Sequence, residues 1–115
     1  MIKLWLDDER DPLVWRPQDG HQWLWLKTAE EAIELVAENV VCEISFDHDL
    51  GEGINGYQVA KYIEEGAYFG TLTPIKWAVH SANPVGAANI ERAMQQADIY
   101  WHMDGMPKGY PDVTK

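Results

Sequence analysis

The sequence "VVCEISFDHDLG", residues 40–51, is an apolar run that ends abruptly in Asp47, His48 and Asp49. A short continuous apolar run is typical of a strand that is buried inside a sheet. Charged side chains are almost never fully buried without a partner, so their appearance marks the end of the buried segment. We therefore predict a strand over residues 42–46, with titratable side chains at its carboxyl end.

Other segments of the chain show the same strand pattern or a helical one. Short apolar bursts predict four more strands, at residues 2–6, 23–27, 75–79 and 98–103. Apolar residues at helical spacing predict three helices, over residues 28–39, over residues 56–66 and from residue 83 onward. Each predicted helix is preceded by a side chain that commonly caps a first turn, namely Thr28, Asn55 and Asn83.

The alternation of strands and helices predicts the fold class. Strands that alternate with helices form βαβ units, in which a parallel sheet is covered on both faces. We expect a three-layer α/β fold of the flavodoxin-like type, with a parallel five-stranded sheet in the order 2-1-3-4-5. Residues 12–22 contain two prolines and a glycine, so we predict a loop there in place of a first helix. We predict that residues 1–115 form one domain, in which residues 103–115 are a turn-rich tail.

Composition and charge exclude several classes of function. The chain has 115 residues, and its formal net charge of −10 repels polyanions. Binding to an extended nucleic-acid duplex is therefore not expected, although a metal ion could bring a small phosphorylated ligand or a nucleic-acid end to an acidic site. No apolar run approaches the roughly 18 residues that span a bilayer. The first residues also lack the layout of a secretion signal, so we expect a cytoplasmic protein with no membrane partner.

Acidic residues follow two of the predicted strands. Asp7 and Asp8 come after the first strand, and Asp47 and Asp49 come after the third. In an open parallel sheet of the expected order, the carboxyl ends of these strands border one crevice. Neighbouring carboxylates repel each other unless a cation neutralises them, and oxygen ligands suit Mg²⁺ or Mn²⁺ better than zinc. We predict that these aspartates bind Mg²⁺ or Mn²⁺. The alternative for Asp7 and Asp8 is that they simply end a strand and begin a turn, where aspartate is common.

Two histidines are candidates for proton transfer at the same crevice. His48 and His80 each follow a strand, and an imidazole that titrates near neutral pH can exchange protons with a phosphate ester. A histidine at a strand end is also a common structural group, and side-chain alternation can turn His48 away from Asp47. Asp47, His48 and His80 are the predicted catalytic residues. The role of Asp47 as metal ligand, nucleophile or phosphoacceptor is left open.

Several residues are suited to binding a phosphate. Ser81, Asn83 and Gly86 lead into a predicted helix, whose first N–H groups attract anions. Asn83 can equally serve as an ordinary helix cap. Arg10 can bind a phosphate with its guanidinium group, or it can pair with an acidic neighbour in solvent. The predicted phosphate-binding residues are therefore Arg10, Ser81, Asn83 and Gly86.

The six tryptophans divide by position. Four of them lie in predicted strands, where packing in the core is the expected role: Trp5, Trp23, Trp25 and Trp77. Trp15 lies in the irregular segment beside the predicted crevice. It is the best candidate for stacking on a nucleic-acid base, and ordinary packing is the alternative.

This arrangement resembles the receiver domain of response regulators over nearly the whole chain. Receivers have an acidic pair after the first strand, like Asp7 and Asp8, and a phosphorylatable aspartate after the third, like Asp47. The family binds Mg²⁺ through these acids and a backbone carbonyl, which here belongs to Asp49. The pair Ser81 and Ala82 matches the Ser/Thr-Ala pair after the fourth strand. The usual lysine after strand five is missing, however, which argues against phosphotransfer signalling.

The segments "LWLDDER", "SFDHDLG" and "HSANPVG" are more similar to cyclic-phosphate-processing receiver domains, a group derived from receivers. The resemblance implies a metal-dependent phosphoesterase that processes the cyclic phosphate ends of RNA or nucleotides, as in RNA repair or nucleotide turnover. Two other functions fit the same residues. One is a non-enzymatic switch that accepts a phosphoryl group on Asp47, and the other is a module that binds a nucleotide or phosphate without chemistry.

Overall fold

A parallel sheet of four strands forms the centre of the computed structural model, which describes residues 1–51 and 53–103. The strands lie in the order β2-β1-β3-β4, where β1 is Ile2–Leu6, β2 is Trp23–Leu26, β3 is Val41–Phe46 and β4 is Lys76–Val79. Every neighbouring pair is parallel, so the carboxyl ends of these strands lie at one edge of the sheet. The predicted α/β fold and the predicted order of the first four strands are confirmed.

Four helices accompany the strands: α1 (Pro12–Trp15), α2 (Ala29–Ala37), α3 (Gly56–Phe69) and α4 (Pro84–His102). The three longer ones begin at the predicted caps, because the side chains of Thr28, Asn55 and Asn83 each accept a hydrogen bond from a backbone N–H of the first turn. Within the described part of the chain, none of the helices combines the length and the apolar character that a bilayer crossing requires.

The predicted end of α3 at Gly66 is wrong by one turn. A Cβ at Gly66 would lie 2.4 Å from Leu72 Cδ1, so this glycine allows the Leu72 side chain to pack against the helix. The helix ends instead at Gly70, whose φ of 75° is left-handed and therefore suits glycine.

The predicted fifth strand at residues 98–103 is also wrong. Residues up to His102 belong to α4, because the helical spacing of Ile90, Met94 and Ala97 continues to Trp101, which packs against the core. The Trp101 indole also donates a hydrogen bond of 2.9 Å to the carbonyl of Leu72. Of the turn-rich tail predicted for residues 103–115, all but Met103 lies outside the described residues.

In the segment between β1 and β2, the loop predicted for residues 12–22 is confirmed only in part, because these residues contain the short helix α1 and one 3-10 turn. Asp11 caps α1 by accepting a hydrogen bond from Leu13 N, and the 3-10 turn covers Gly20–Gln22. Two indoles hold the start of this segment against the sheet. Trp5 Nε1 donates to Arg10 O at 2.8 Å, and Trp25 Nε1 donates to Asp7 O at 2.6 Å.

The two faces of the sheet differ in what covers them. On one face, alternate strand residues join the buried residues of α2, α3 and α4 in a single apolar core; these strand residues are Leu4, Leu6, Ile44 and Phe46. On the other face, residues 12–22 lie over the strands near Trp5 and Trp23, and they form the third layer. Lys76 and Ala78 of β4 are exposed on this second face. The functional residues described next lie where this face meets the carboxyl edge.

Candidate functional site

The site is built by strand register. Trp5, Ser45 and Ala78 are partners in one row across β1, β3 and β4. Because side chains on the same face recur every second residue, the next row on that face consists of Asp7, Asp47 and His80. Backbone hydrogen bonds extend the sheet to this row, from Asp47 N to Leu6 O and from His80 N to Phe46 O, each 2.9 Å long. Three polar side chains from three strands therefore meet at one edge.

Asp7 is a fully buried carboxylate, with 0% of its surface exposed. Its Oδ1 accepts hydrogen bonds from the backbone N–H groups of Glu9 and Arg10, and its Oδ2 accepts from Arg10 Nη1 and His80 Nε2. Burial raises the pKa of Asp7, but the backbone N–H groups and the His80 and Arg10 side chains together bring the pKa below its ordinary value. Asp7 is therefore ionised in the folded protein.

Asp47 lies beside Asp7, but its pKa is shifted in the opposite direction. It is 3% exposed, and its pKa is raised, first by burial and then by the negative charge of Asp7. Arg10 opposes this shift, because its Nη1 lies 3.4 Å from Asp47 Oδ2 and 3.3 Å from Asp7 Oδ2. One guanidinium group is thus shared by two buried carboxylates, which leaves negative charge at the site that is not neutralised.

The aspartates form a group that could hold a metal ion. One carboxylate oxygen from each of Asp7, Asp8 and Asp47 lies within 4.8 Å of the others. Asp7 is fully buried, whereas Asp8 and Asp47 line a cleft of about 350 Å³, together with Arg10 and with Asp49, whose side chain is 65% exposed. We call this the acid cleft. An all-oxygen donor set with excess negative charge fits the coordination that Mg²⁺ and Mn²⁺ prefer.

His80 connects the acid cleft to the sheet. Its Nε2 lies 2.9 Å from Asp7 Oδ2 and its Nδ1 lies 2.7 Å from Ser45 Oγ, while its ring stacks on Trp5 at a centroid distance of 4.0 Å. Burial lowers the pKa of His80 more than the Asp7 charge raises it, so the imidazole is neutral at pH 7. Because an ionised carboxylate can only accept, Nε2 donates to Asp7, and Nδ1 accepts the hydrogen bond of the Ser45 hydroxyl.

His48 occupies a different place. Its Nδ1 donates to Asp49 Oδ1 at 2.9 Å, and its ring packs against the first turn of α4. A Cβ at Gly86 would come within 2.2 Å of His48 Cγ, so glycine is needed there to accommodate the ring. His48 is not among the residues that line the acid cleft. Of the two predicted histidines, it is His80 that contacts the buried Asp7, whereas His48 contacts the exposed Asp49.

The residues predicted to bind phosphate are only partly brought together. Arg10 lies in the acid cleft, with its guanidinium between Asp7 and Asp47. Asn83 Oδ1 accepts from Gly86 N at 2.9 Å, so this side chain is the helix cap and the Gly86 N–H is already bonded. Ser81 Oγ accepts from Asn83 N at 3.1 Å.

Comparison with known proteins supports the family that the motifs indicate. A protein-family model described as "Cyclic-phosphate processing Receiver domain" matches residues 2–96. The chain belongs to this family. Searches of the curated proteins and of the solved structures returned no significant match.

Sequence reasoning about this receiver domain missed Ser45. The serine lies inside β3, and its apolar surroundings give it the pattern of an ordinary strand residue. A signal was nevertheless present, because Ser45 lies two positions before Asp47 and so faces the same side of the sheet. Ala82, which lines the acid cleft, was quoted only as part of a motif.

Proposed function

We propose that this receiver domain is a metal-dependent phosphoesterase that opens the cyclic phosphate ends of RNA or nucleotides. The single observation that carries the proposal is the group of three carboxylates at the carboxyl edge of the sheet, with ligand oxygens within 4.8 Å of one another. The family supports cyclic-phosphate processing in general terms. The acid cleft supplies the chemistry that this reaction needs.

Asp7, Asp8 and Asp47 would hold Mg²⁺ or Mn²⁺, with Asp49 at the open rim of the cleft. When bound, the ion supplies polarisation of the phosphoryl oxygens and a more acidic water. Arg10 has a different task in this proposal. Its side chain is 26% exposed, so the guanidinium can turn from the two buried aspartates toward a substrate phosphate and bind it through two N–H groups.

His80 is the proton carrier in this proposal. In opening a cyclic phosphate, water forms a new P–O bond, one ring P–O bond breaks, and the proton released by the water ends on the leaving oxygen. Neutral His80 holds its own proton on Nε2 against Asp7, which leaves Nδ1 to accept a proton. The Ser45 hydroxyl donates its hydrogen bond to Nδ1, so the attacking water must either displace this hydroxyl or pass its proton through it. His48 bears on the reaction only through Asp49, to which it is bonded.

The proposal is tested with purified protein, 2′,3′-cyclic AMP, and Mg²⁺, Mn²⁺ or EDTA, with products separated by chromatography. We expect adenosine 2′- or 3′-monophosphate with either metal and none in EDTA. Asp47→Ala and His80→Ala should each abolish turnover, whereas Glu34→Gln, an exposed charge change on α2, should leave it intact. Turnover that persists in both site variants would refute the mechanism.

The same material separates the two other functions. A phosphoacceptor switch would gain the mass of a phosphoryl group at Asp47 when treated with acetyl phosphate and Mg²⁺. A binding module would bind the cyclic nucleotide tightly in calorimetry and release no product. A phosphoesterase gives product and retains no phosphoryl group once the substrate is consumed.

A further inference from the structure

A second cleft lies on the other side of the His80–Asp7 contact from the acid cleft. It measures about 400 Å³, within the range of about 300–1,000 Å³ that is usual for ligand sites. Trp15, Gln18, Ser45 and His80 are among the residues that line it, and it shares no lining residue with the acid cleft. We call it the Trp15 cleft.

Two small side chains lie next to each other in the lining of the Trp15 cleft. Ser45 and Ala78 are direct partners on β3 and β4, and both face this side of the sheet. Ala78 is exposed although it lies inside a strand, because none of the described helices covers it. Small side chains at neighbouring strand positions leave room for a flat ring on the sheet.

The wall of the cleft is aromatic. The Trp15 side chain is 58% exposed, which leaves a large apolar ring available to a ligand. The Arg10 guanidinium lies over this ring, 5.2 Å from its centroid, and the same guanidinium reaches Asp7 and Asp47 in the acid cleft. Arg10 is thus the boundary between the two clefts, and a ligand that passes it would place one end in each.

The polar groups of the Trp15 cleft indicate which part of a ligand it would take. Arg16 also lines the cleft, but its charge is already paired with Asp19. Arg16 Nε lies 2.8 Å from Asp19 Oδ1, and Arg16 Nη2 lies 3.0 Å from Asp19 Oδ2. The cleft is therefore poorly suited to a second phosphate. Gln18 is exposed, and its amide makes no hydrogen bond within the described part of the chain. An amide offers one donor and one acceptor edge, which matches the edge of a nucleobase.

We infer that the Trp15 cleft binds the base of a nucleoside phosphate whose phosphate lies in the acid cleft, with Trp15 stacking on the base and Gln18 bonding to its edge. This inference rests on the proposed function, and it names the substrate class as a nucleoside cyclic phosphate as opposed to a cyclic phosphate without a base. A stacked base contributes enough to raise affinity by about tenfold.

Binding is measured by calorimetry with two probes, adenosine 3′-monophosphate and inorganic phosphate, both with Mg²⁺. In the unmodified protein the nucleotide should bind at least about tenfold more tightly than phosphate. Trp15→Ala should reduce that ratio toward one, and Trp15→Phe should restore most of it because a phenyl ring also stacks. Val14→Ala is the matched control, since Val14 is 72% exposed on the same helix and does not line the cleft.

Equal affinity for the two probes in the unmodified protein would overturn the inference, as would an unchanged ratio in Trp15→Ala. Its failure is distinguishable from failure of the proposed function. If a base-free cyclic phosphate such as glycerol 1,2-cyclic phosphate were turned over at the same rate as 2′,3′-cyclic AMP, the proposed phosphoesterase would be retained and the base site would be refuted. Tighter binding of the nucleotide than of phosphate, without any turnover, would retain the base site and remove the phosphoesterase.

A single-stranded oligoribonucleotide with a 3′-phosphate is added as a third probe. If it binds more tightly than the mononucleotide, the ligand is the end of an RNA strand; if it does not, the ligand is a free nucleotide.

Discussion

Asp47→Asn should stabilise the metal-free protein. Asp47 is nearly fully buried beside the ionised Asp7, and the two carboxylates present oxygens within 4.8 Å of each other. At an effective dielectric constant of about 20, two unit charges at that distance repel each other by about 3.5 kcal/mol. The attraction of Arg10 for Asp47 offsets part of this repulsion, but the Arg10 side chain is partly exposed and its charge is shared between both acids. We expect a net gain of about 1–2 kcal/mol, because an amide keeps the shape of the side chain and removes its charge.

The assay for Asp47→Asn is thermal unfolding in EDTA, followed by circular dichroism, where about 1 kcal/mol corresponds to about 5 °C for a domain of this size. The raised pKa of Asp47 determines the pH dependence. Well below pH 3.8, the ordinary pKa, the Asp47 carboxyl group is neutral in both the folded and the unfolded state. The variant and the unmodified protein should therefore have similar stability at such a pH. As the pH rises through 3.8 and then through the raised pKa of the folded state, the unmodified protein loses stability and the difference becomes complete.

The same variant should lose its stabilisation by metal. A ligand at 100 times its Kd stabilises a folded protein by about 2.7 kcal/mol, so Mg²⁺ or Mn²⁺ should raise the melting temperature of the unmodified protein and leave that of Asp47→Asn nearly unchanged. Glu34→Gln removes one negative charge at an exposed site and controls for the change in net charge. The reasoning would be refuted if Asp47→Asn had a lower melting temperature than the unmodified protein in EDTA. It would also be refuted if Mg²⁺ raised the melting temperature of the variant as much as that of the unmodified protein.

Three further predictions concern neighbouring residues. Asp7→Asn should lower the free energy of unfolding by about 2–4 kcal/mol in EDTA, because the lowered pKa of Asp7 reflects four hydrogen bonds to a buried charge. Urea melts should show the full loss above pH 3.8. The loss should become smaller as the pH falls through the lowered pKa of the folded state. Gly86→Ala should cost about 1–3 kcal/mol, because its Cβ collides with the His48 ring, and a double variant with His48→Ala should recover most of that stability in the same melts. Trp101→Phe should cost about 1 kcal/mol through the lost bond to Leu72 O, and an unchanged urea midpoint would contradict the packing of the last turn of α4.

Much of the fold could be predicted from local pattern. β1 lies where an apolar run predicted it, and the caps Thr28, Asn55 and Asn83 start their helices. The exception, residues 98–103, shows the limit of this reasoning. The segment is rich in β-formers, but Trp101 finds its partner in Leu72, 29 residues away, and this tertiary contact favours the helix.

The candidate site could be predicted in its chemistry and only partly in its geometry. The acids after β1 and β3 were predicted to converge, because parallel strands place their carboxyl ends at one edge. The choice between His48 and His80 could not be made in the same way. It depends on the side to which each ring turns once its strand has ended, and the backbone there is no longer held in a regular pleat.

By itself, the sequence determined the kind of element that most segments form and the chemical character of the sheet edge, since hydrophobic period, capping and strand-end acids act between residues close together in the chain. Only the tertiary structure decided which polar atoms share protons and charge. His80 Nε2 meets Asp7 across 73 positions of the chain, and Ser45 Oγ meets His80 Nδ1 across 35. Such pairs depend on strand register and on the burial of several elements at once, so no local pattern can encode them.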